Sequence, residues 1–386
     1  MRNPVRPLLL AVSLAAAGQG GCTGISVQPF GILASGQAVQ RVTLENDRGM
    51  RLSYIDYGAT LVSAEVADRR GRRRNVILSL PDLESYVRTK RRFASVIGRY
   101  AGRIGGARFT LDGRTVQLPA NARGVAIHGE PDGYEKRVWQ RQDFADAASI
   151  GSIYRLVSGD GDQGFPGRLE LTVTYRLMRG SDEFRIEYAA STDAPTVLNP
   201  TNHAYFNLAG AGSAGMSSHR FRIAADRYAV TDEKKVPTGE LAGVAGTPLD
   251  FRRPAGVARW LEAGQGEPSS AAAAALLGSP PGYDHALMFP KRPGEYALVA
   301  VVDELASGRR MEVRTTAPSV LFNSGNGFDG SEPGAEGRAY ARYDGFALET
   351  QGLPDAPNKP QFPSTVLRPG EAFRSMTSFR FGLRGR

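Results

Sequence analysis

Three stretches of the chain put a histidine among polar and aromatic neighbours, and a fourth ends an apolar run in a carboxylate. "PTNHAYFNL" (200–208) carries His203, "GVAIHGEPDGYEKRVW" (124–139) carries His128 ahead of Tyr134 and Trp139, and "PGYDHALMF" (281–289) sets Asp284 beside His285. "GFALETQG" (345–352) reads as a strand with Glu349 at its end. An imidazole and a carboxylate are the side chains suited to moving protons near neutral pH. A carboxylate closing an apolar strand costs free energy unless something partners it. Neighbouring side chains of a strand point to opposite faces, so Asp284 and His285 do not serve one cavity together. His219, in a serine-rich stretch, is expected to be solvated. Each candidate also has a bland reading: a lone strand histidine is more often a hydrogen-bonded structural residue, and a lone strand-end glutamate a surface one. A metal site from His128, His203 and a carboxylate is chemically open, but no His-x-His or His-x-x-x-His spacing supports it. No metal is expected. Spacing alone leaves the site unassigned.

These residues need a scaffold, and the chain from Val27 onward reads as strands. "AVQRVTLEN", "MRLSYIDYG", "TLVSAEVAD", "RLELTVTYRLM" and "EFRIEYAAST" alternate or run apolar between Gly, Pro, Asn and Asp. "LDGRTVQL" has Asp-Gly between alternating runs, a hairpin signal, and "EYALVAVVDELASGRRMEVRTT" reads as a second hairpin turning at Ser307-Gly308. "DLESYVRT" is expected to form one short helix. The Ala271–Ala275 run lies in a Gly/Ser/Pro-rich insertion and reads as surface decoration. With no linker and no fixed-period repeat, the expectation is all-β: one large antiparallel β-sandwich over residues 27–386, with an open face suited to a sugar.

The composition, 41% hydrophobic and 23% charged over 386 residues, is that of a soluble globular protein. The formal charge of +9 is mainly arginine, concentrated in Arg69–Arg74 and in Lys90-Arg91-Arg92. No aromatic residues interleave with these runs and no helix carries a basic stripe, so both read as solvated loops and no nucleic-acid partner is expected. Arg2 and Arg6 followed by "PLLLAVSLAAAG" read as an export signal over residues 1–22, too short to span a bilayer. This implies a periplasmic protein. A single cysteine excludes an internal disulfide. Cys22, just after small residues, leaves a lipid-bearing N-terminus and plain cleavage near Ala17-Gly18 as open alternatives.

Taken together and in order, the segments resemble the aldose 1-epimerases, also called galactose mutarotases. "IGRYAGRIGGARFTLDG", "IHGEPDGYEKRVW", "NPTNHAYFNLAG", "DEKKVPTGELAGVAGTPLDFR", "YDHALMF" and "ALETQGLPDAPNKPQFPSTVLRPGE" each look like a motif of that family, spread over nearly the whole mature chain. The resemblance implies a single large antiparallel sandwich with an open sugar-binding face. It implies His203 as general acid, Glu349 as general base, and Arg103, His128 and Asp284 as residues holding the sugar. The reaction it implies is ring opening and reclosure at C1 of a free aldose, which needs an acid and a base and no cofactor. Asn202, Tyr205 and Asn207 are expected to be structural first. A monosaccharide is the expected partner, and a monomer or weak dimer the expected assembly.

The chain departs from the family pattern in places. Gly102 stands where asparagine is frequent, Leu321 where a sugar-contacting glutamine is common, Asn323 where tyrosine is common, and Glu130 where a second glycine follows the histidine. These changes bear on which sugar is preferred. A related enzyme acting on another sugar, including a phosphorylated one (which export argues against), a glycoside hydrolase using Asp284 and Glu349, and a non-catalytic carbohydrate-binding protein remain the competing readings.

Overall fold

The computed structural model describes residues 24–257 and 271–385. The export signal and Cys22 lie outside the described residues. Strands dominate, and their alternation does what the sequence pattern dictates. In Leu169–Met178, residues 169, 171, 173, 175 and 177 are buried and those between are partly open. An eight-stranded antiparallel sheet runs in the order Gln140–Ala145, Ser149–Ser158, Leu169–Met178, Glu183–Thr192, Phe373–Leu383, Arg309–Thr315, Ala297–Glu304, His219–Ile223. Its apolar face meets two further sheets. One is a five-stranded meander over residues 25–75, and the other is a six-stranded sheet in the order Tyr205–Phe206, Phe346–Gln351, Ser319–Asn323, Asp284–Met288, Arg227–Thr231, Pro237–Gly243. One continuous core joins all three: Tyr54 packs on Tyr154 and Tyr175, Phe206 on Phe379, and Phe221 on Phe322 and Phe346. This is the expected all-β sandwich.

Local signals hold where the turn chemistry is strong. Arg108–Leu111 pairs with Arg114–Gln117 through Asp112-Gly113, whose φ values of +49° and +77° are those of the two-residue hairpin turn. Leu83–Arg88 is a short helix with Asp82 as its N-cap, accepting from the Ser85 N–H at 2.8 Å. Two expectations fail. Ala271–Leu277 is a helix whose Leu277 enters the main core with Leu276 packed against it, so this end of the segment is not decoration. His219 is fully buried, not solvated. It begins the strand His219–Ile223, and alternation turns it inward with Phe221 and Ile223, where its Nε2 accepts from the Leu208 N–H at 2.9 Å.

Candidate active site

The strand Phe346–Gln351 is buried along its whole length, so both of its faces are covered. Phe346 and Leu348 enter the main core, and Thr350 bonds Thr377 of the large sheet at 2.6 Å. Ala347, Glu349 and Gln351 therefore point the other way. Register carries this division across the neighbouring strands: Leu321 lies opposite Glu349, Asn323 opposite Ala347, and Asp284 opposite Asn323. On the reverse face Val320, Phe322 and Leu287 join the core. The polar face opens into a pocket of about 290 Å³ lined by, among others, Arg92, Arg103, His128, His203, Asp284 and Glu349. That is the small end of the range for small-molecule sites. Glu349 is the fourth residue of its strand, not its last.

His203 is not on a strand. It occupies the gap between two-residue strands, Thr201–Asn202 paired with Val96–Ile97 and Tyr205–Phe206 paired with Phe346–Ala347. Its N–H donates to the Ser95 carbonyl at 3.1 Å and its carbonyl accepts from the Ala94 N–H at 2.9 Å. Two backbone bonds thus fix its Cα. Asn202 donates to the Ala94 carbonyl and, at 3.2 Å, to the Tyr175 hydroxyl, while Asn207 donates to three backbone carbonyls, so both are structural as expected. Tyr205 lines the pocket, its ring centroid 4.9 Å from that of His203.

His128 follows the strand Ala126–Ile127, which pairs with Arg103–Ile104 and so carries Arg103 and His128 to one rim. Its backbone is left-handed, φ +54°, and its Nδ1 accepts the Gly102 N–H at 3.3 Å. A neutral imidazole held this way keeps its proton on Nε2. Gly129 must be glycine: its φ is +79°, and a Cβ there would lie 2.3 Å from the Gly98 carbonyl oxygen. Arg103 Nη2 lies 3.4 Å from Asp284 Oδ2, and Asn323 donates to Asp284 Oδ1 at 3.2 Å.

The centre of the pocket is electrostatically unusual. His203 Nε2 and Glu349 Oε1 are 3.4 Å apart, and neither Glu349 oxygen has another polar partner among the described residues. His203 Nδ1 is also unpartnered there. Burial, helped by the Arg92 charge, pulls the His203 imidazole down to about 4. Burial, together with the Asp284 charge, pushes the Glu349 carboxyl well above its usual range, against the pull of Arg92 and Arg103. Burial and the surrounding cations likewise hold His128 neutral. The site contains a carboxyl and an imidazole facing each other with their hydrogen-bonding capacity unspent, ringed by donors and acceptors.

The sequence profile of the family described as "Aldose 1-epimerase" matches residues 40–380. The chain belongs to that family. It is 39% identical over 355 residues to the galactose mutarotase of Rattus norvegicus, covering 92% of this chain and 97% of that protein. It is 38% identical over 348 residues to the aldose 1-epimerase of Escherichia coli K12, covering 90% and 96%. The solved structure of galactose 1-epimerase from Lactobacillus acidophilus superposes with a TM-score of 0.79 at 27% identity, covering 94% of this chain and 99% of that one.

In this aldose 1-epimerase family member the five residues singled out from the sequence, Arg103, His128, His203, Asp284 and Glu349, come together in one pocket. His285 does not join them. It points to the core, its Nδ1 accepting from the Asp284 N–H at 3.1 Å and its Nε2 lying 3.1 Å from the Leu276 carbonyl. The basic run Lys90-Arg91-Arg92, which reads from sequence as a solvated loop, belongs to the site instead. All three residues line the pocket, with Arg92 largely buried and ion-paired to Glu130. Nothing local signals this, since Glu130 is 38 residues away in sequence and its side chain stays 39% exposed. The Arg69–Arg74 run does sit in an exposed hairpin turn. Phe328 and the glycine-bearing segment Gly325–Gly327, also on the pocket wall, carry no local signal.

Proposed function

We propose that this pocket interconverts the α and β anomers of a free aldose, such as glucose or galactose, by acid–base opening and closing of the hemiacetal ring. The observation that carries the reading is the orphaned pair at its centre. A buried carboxyl with no partner is expensive to keep in a folded protein, and here it faces an imidazole across 3.4 Å. A sugar presenting its C1 hydroxyl and ring oxygen satisfies both at once.

The pair holds one proton. In the empty pocket burial disfavours charge on either partner, so the proton rests on Glu349 and His203 is neutral. Moving that proton to His203 leaves the net charge of the pair unchanged. In the resulting form Glu349 accepts the C1 hydroxyl proton while His203 gives one to O5 as the C1–O5 bond breaks. Rotation about C1–C2 presents the other face of the carbonyl. The ring oxygen then attacks C1, returning its proton to His203 as Glu349 gives one back to the C1 oxygen, and the pair is restored. His128 offers an Nε2–H, Arg103 its guanidinium and Asp284 its carboxylate to the sugar hydroxyls. Pre-set donors and acceptors of this kind favour the ring-opening transition state by holding the sugar in place.

Freshly dissolved α-D-glucose and α-D-galactose, followed by polarimetry in the presence of a chelator, provide the test. The protein should speed the approach to the same final rotation. A rate equal to that in buffer for both sugars would overturn the reading.

A further inference from the structure

Four cations line the pocket, Lys90, Arg91, Arg92 and Arg103, against two carboxylic acids, Asp284 and Glu349. Asp284 is already neutralised by Arg103 and held by Asn323. Glu349 lies buried beside His203, and burial pushes its carboxyl well above the usual range. Arg92 is offset by Glu130, with Glu135 3.9 Å from its Nε. Arg91 reaches Asp329 at 3.3 Å, but both side chains are solvated there, so the pair screens little of its charge. The Lys90 ammonium has no ion-pair partner among the described residues. The mouth of the pocket is therefore electropositive in the absence of ligand.

The location of this charge relative to the sugar follows from the backbone. The basic run leads directly into Phe93 and Ala94, and Ala94 and Ser95 bracket His203 by hydrogen bonds of 2.9 and 3.1 Å. Resting on the proposed roles, His203 serves the ring oxygen O5. C5 is bonded to O5 and carries the exocyclic C6, so C6 is the substituent brought nearest to the element that holds His203. Asp284 and Asn323 lie opposite each other on adjacent paired strands. Leu321, between Glu349 and Ala286 on the pocket face, offers no hydrogen bond to a neutral hydroxyl.

We infer that Lys90 and Arg91 form a subsite for an anion on C6, so that the preferred substrates are aldoses bearing a carboxylate or a phosphate at that position. A hexuronate and a hexose 6-phosphate present this same chemistry, a compact anion at one end of the ring. A positively charged, partly walled pocket concentrates such a ligand and orients its C1 toward Glu349.

Exchange between the α and β anomeric protons can be measured at equilibrium by NMR saturation transfer, with no need for a pure anomer. D-galacturonate is compared with D-galactose, and D-glucose 6-phosphate with D-glucose. At low salt, kcat/KM for at least one anion should exceed that of its neutral parent by about three- to tenfold, as expected for partly exposed charge contacts. The ratio should fall to about one in Lys90→Ala/Arg91→Ala, checked for folding by thermal melts. It should persist in Lys90→Arg, and shrink toward about 0.5 M salt, where screening is nearly complete. Preference for galacturonate alone or for the phosphate alone identifies which anion the subsite takes. If neither anion is preferred, or if the preference survives in the double variant, the inference is overturned while exchange of neutral hexoses still supports the mutarotase reading. If no aldose is exchanged at all, that reading falls and this inference with it.

Discussion

The strands Asp284–Met288, Ser319–Asn323 and Phe346–Gln351 have two faces that differ in almost every physical respect. The inner face carries His285, Leu287, Val320, Phe322, Phe346 and Leu348, packed against the large sheet. Even its histidine is satisfied, both ring nitrogens lying at hydrogen-bonding distance from backbone groups. The outer face carries Asp284, Asn323 and Glu349, with Glu349 buried and unpartnered. His203 and His285 make the contrast sharp. Both are buried and both are pulled down to about 4 chiefly by burial. Burial and a shifted imidazole therefore do not mark the site; an imidazole and a carboxyl facing each other across 3.4 Å, with no other polar partner for the carboxyl among the described residues, do. One face stabilises the fold, and the other leaves a buried carboxyl without a polar partner besides His203 among the described residues.

The largest expected effect separates the faces by activity. Glu349→Gln and His203→Gln should each lower kcat by about 10²–10⁴-fold, the usual contribution of a positioned acid or base. Neither should lower the melting temperature much, because each substitution removes an ionisable group whose charge burial disfavours. The double variant should lose less than the product of the single losses, since the two groups share one proton. A folded Glu349→Gln protein with near-normal kcat would break the division between the faces.

Phe322→Ala attacks the inner face one residue away from Leu321 and Asn323. Phe322 is fully buried against Phe221, Phe251 and Tyr283. Its truncation should cost about 3–5 kcal/mol of stability, read as a fall in denaturant midpoint. The kcat of the fraction that remains folded should stay within about tenfold of the parent, below the loss of a catalytic group. A larger kcat loss with unchanged stability would show that the faces are not separable.

The smallest effect is a pH dependence. Between the usual carboxylate value of 4.5 and the usual imidazole value of 6.5, the unfolded pair binds one proton, on His203. The folded pair also binds one, on Glu349. With equal proton counts the pair contributes no slope of stability against pH in that window. Glu349→Gln leaves only His203, whose folded value is depressed: the unfolded state then binds more protons, and stability should rise with pH, by up to about 1.4 kcal/mol per unit relative to the parent. His203→Gln leaves only Glu349, whose folded value is raised, and the slope should change by a similar amount in the opposite sense. Stability curves at pH 4.5, 5.5 and 6.5 check both signs. Parallel curves for parent and variants would show that folding does not shift the two groups in opposite directions.

Much of the site is legible in the amino-acid order. Alternation alone separates Asp284 from His285, since a period of two leaves no other geometry for adjacent strand residues. The succession of motifs points to Arg103, His128, His203 and Glu349. Two of the misreadings share one cause. His219 among serines and Lys90-Arg91-Arg92 between a helix and a strand look solvated from their immediate neighbours, but burial is set by elements distant in sequence. His219 is covered by Phe346 and receives its hydrogen bond from Leu208. Arg92 is drawn in by Glu130.

The sequence by itself determined the strand-rich class, the hairpin at Asp112-Gly113, the capped helix after Asp82, and which residues of each strand share a face. These follow from local dihedral preference and from a side-chain period of two. Only the tertiary structure decided that Leu321 lies opposite Glu349 and Asn323 opposite Asp284, that His203 sits in a gap between two short strands 3.4 Å from a carboxyl with no other partner among the described residues, and that a basic loop borders the pocket. Register between distant strands, and the desolvation that comes with it, depends on the summed packing of the whole sandwich, and no local pattern carries that information.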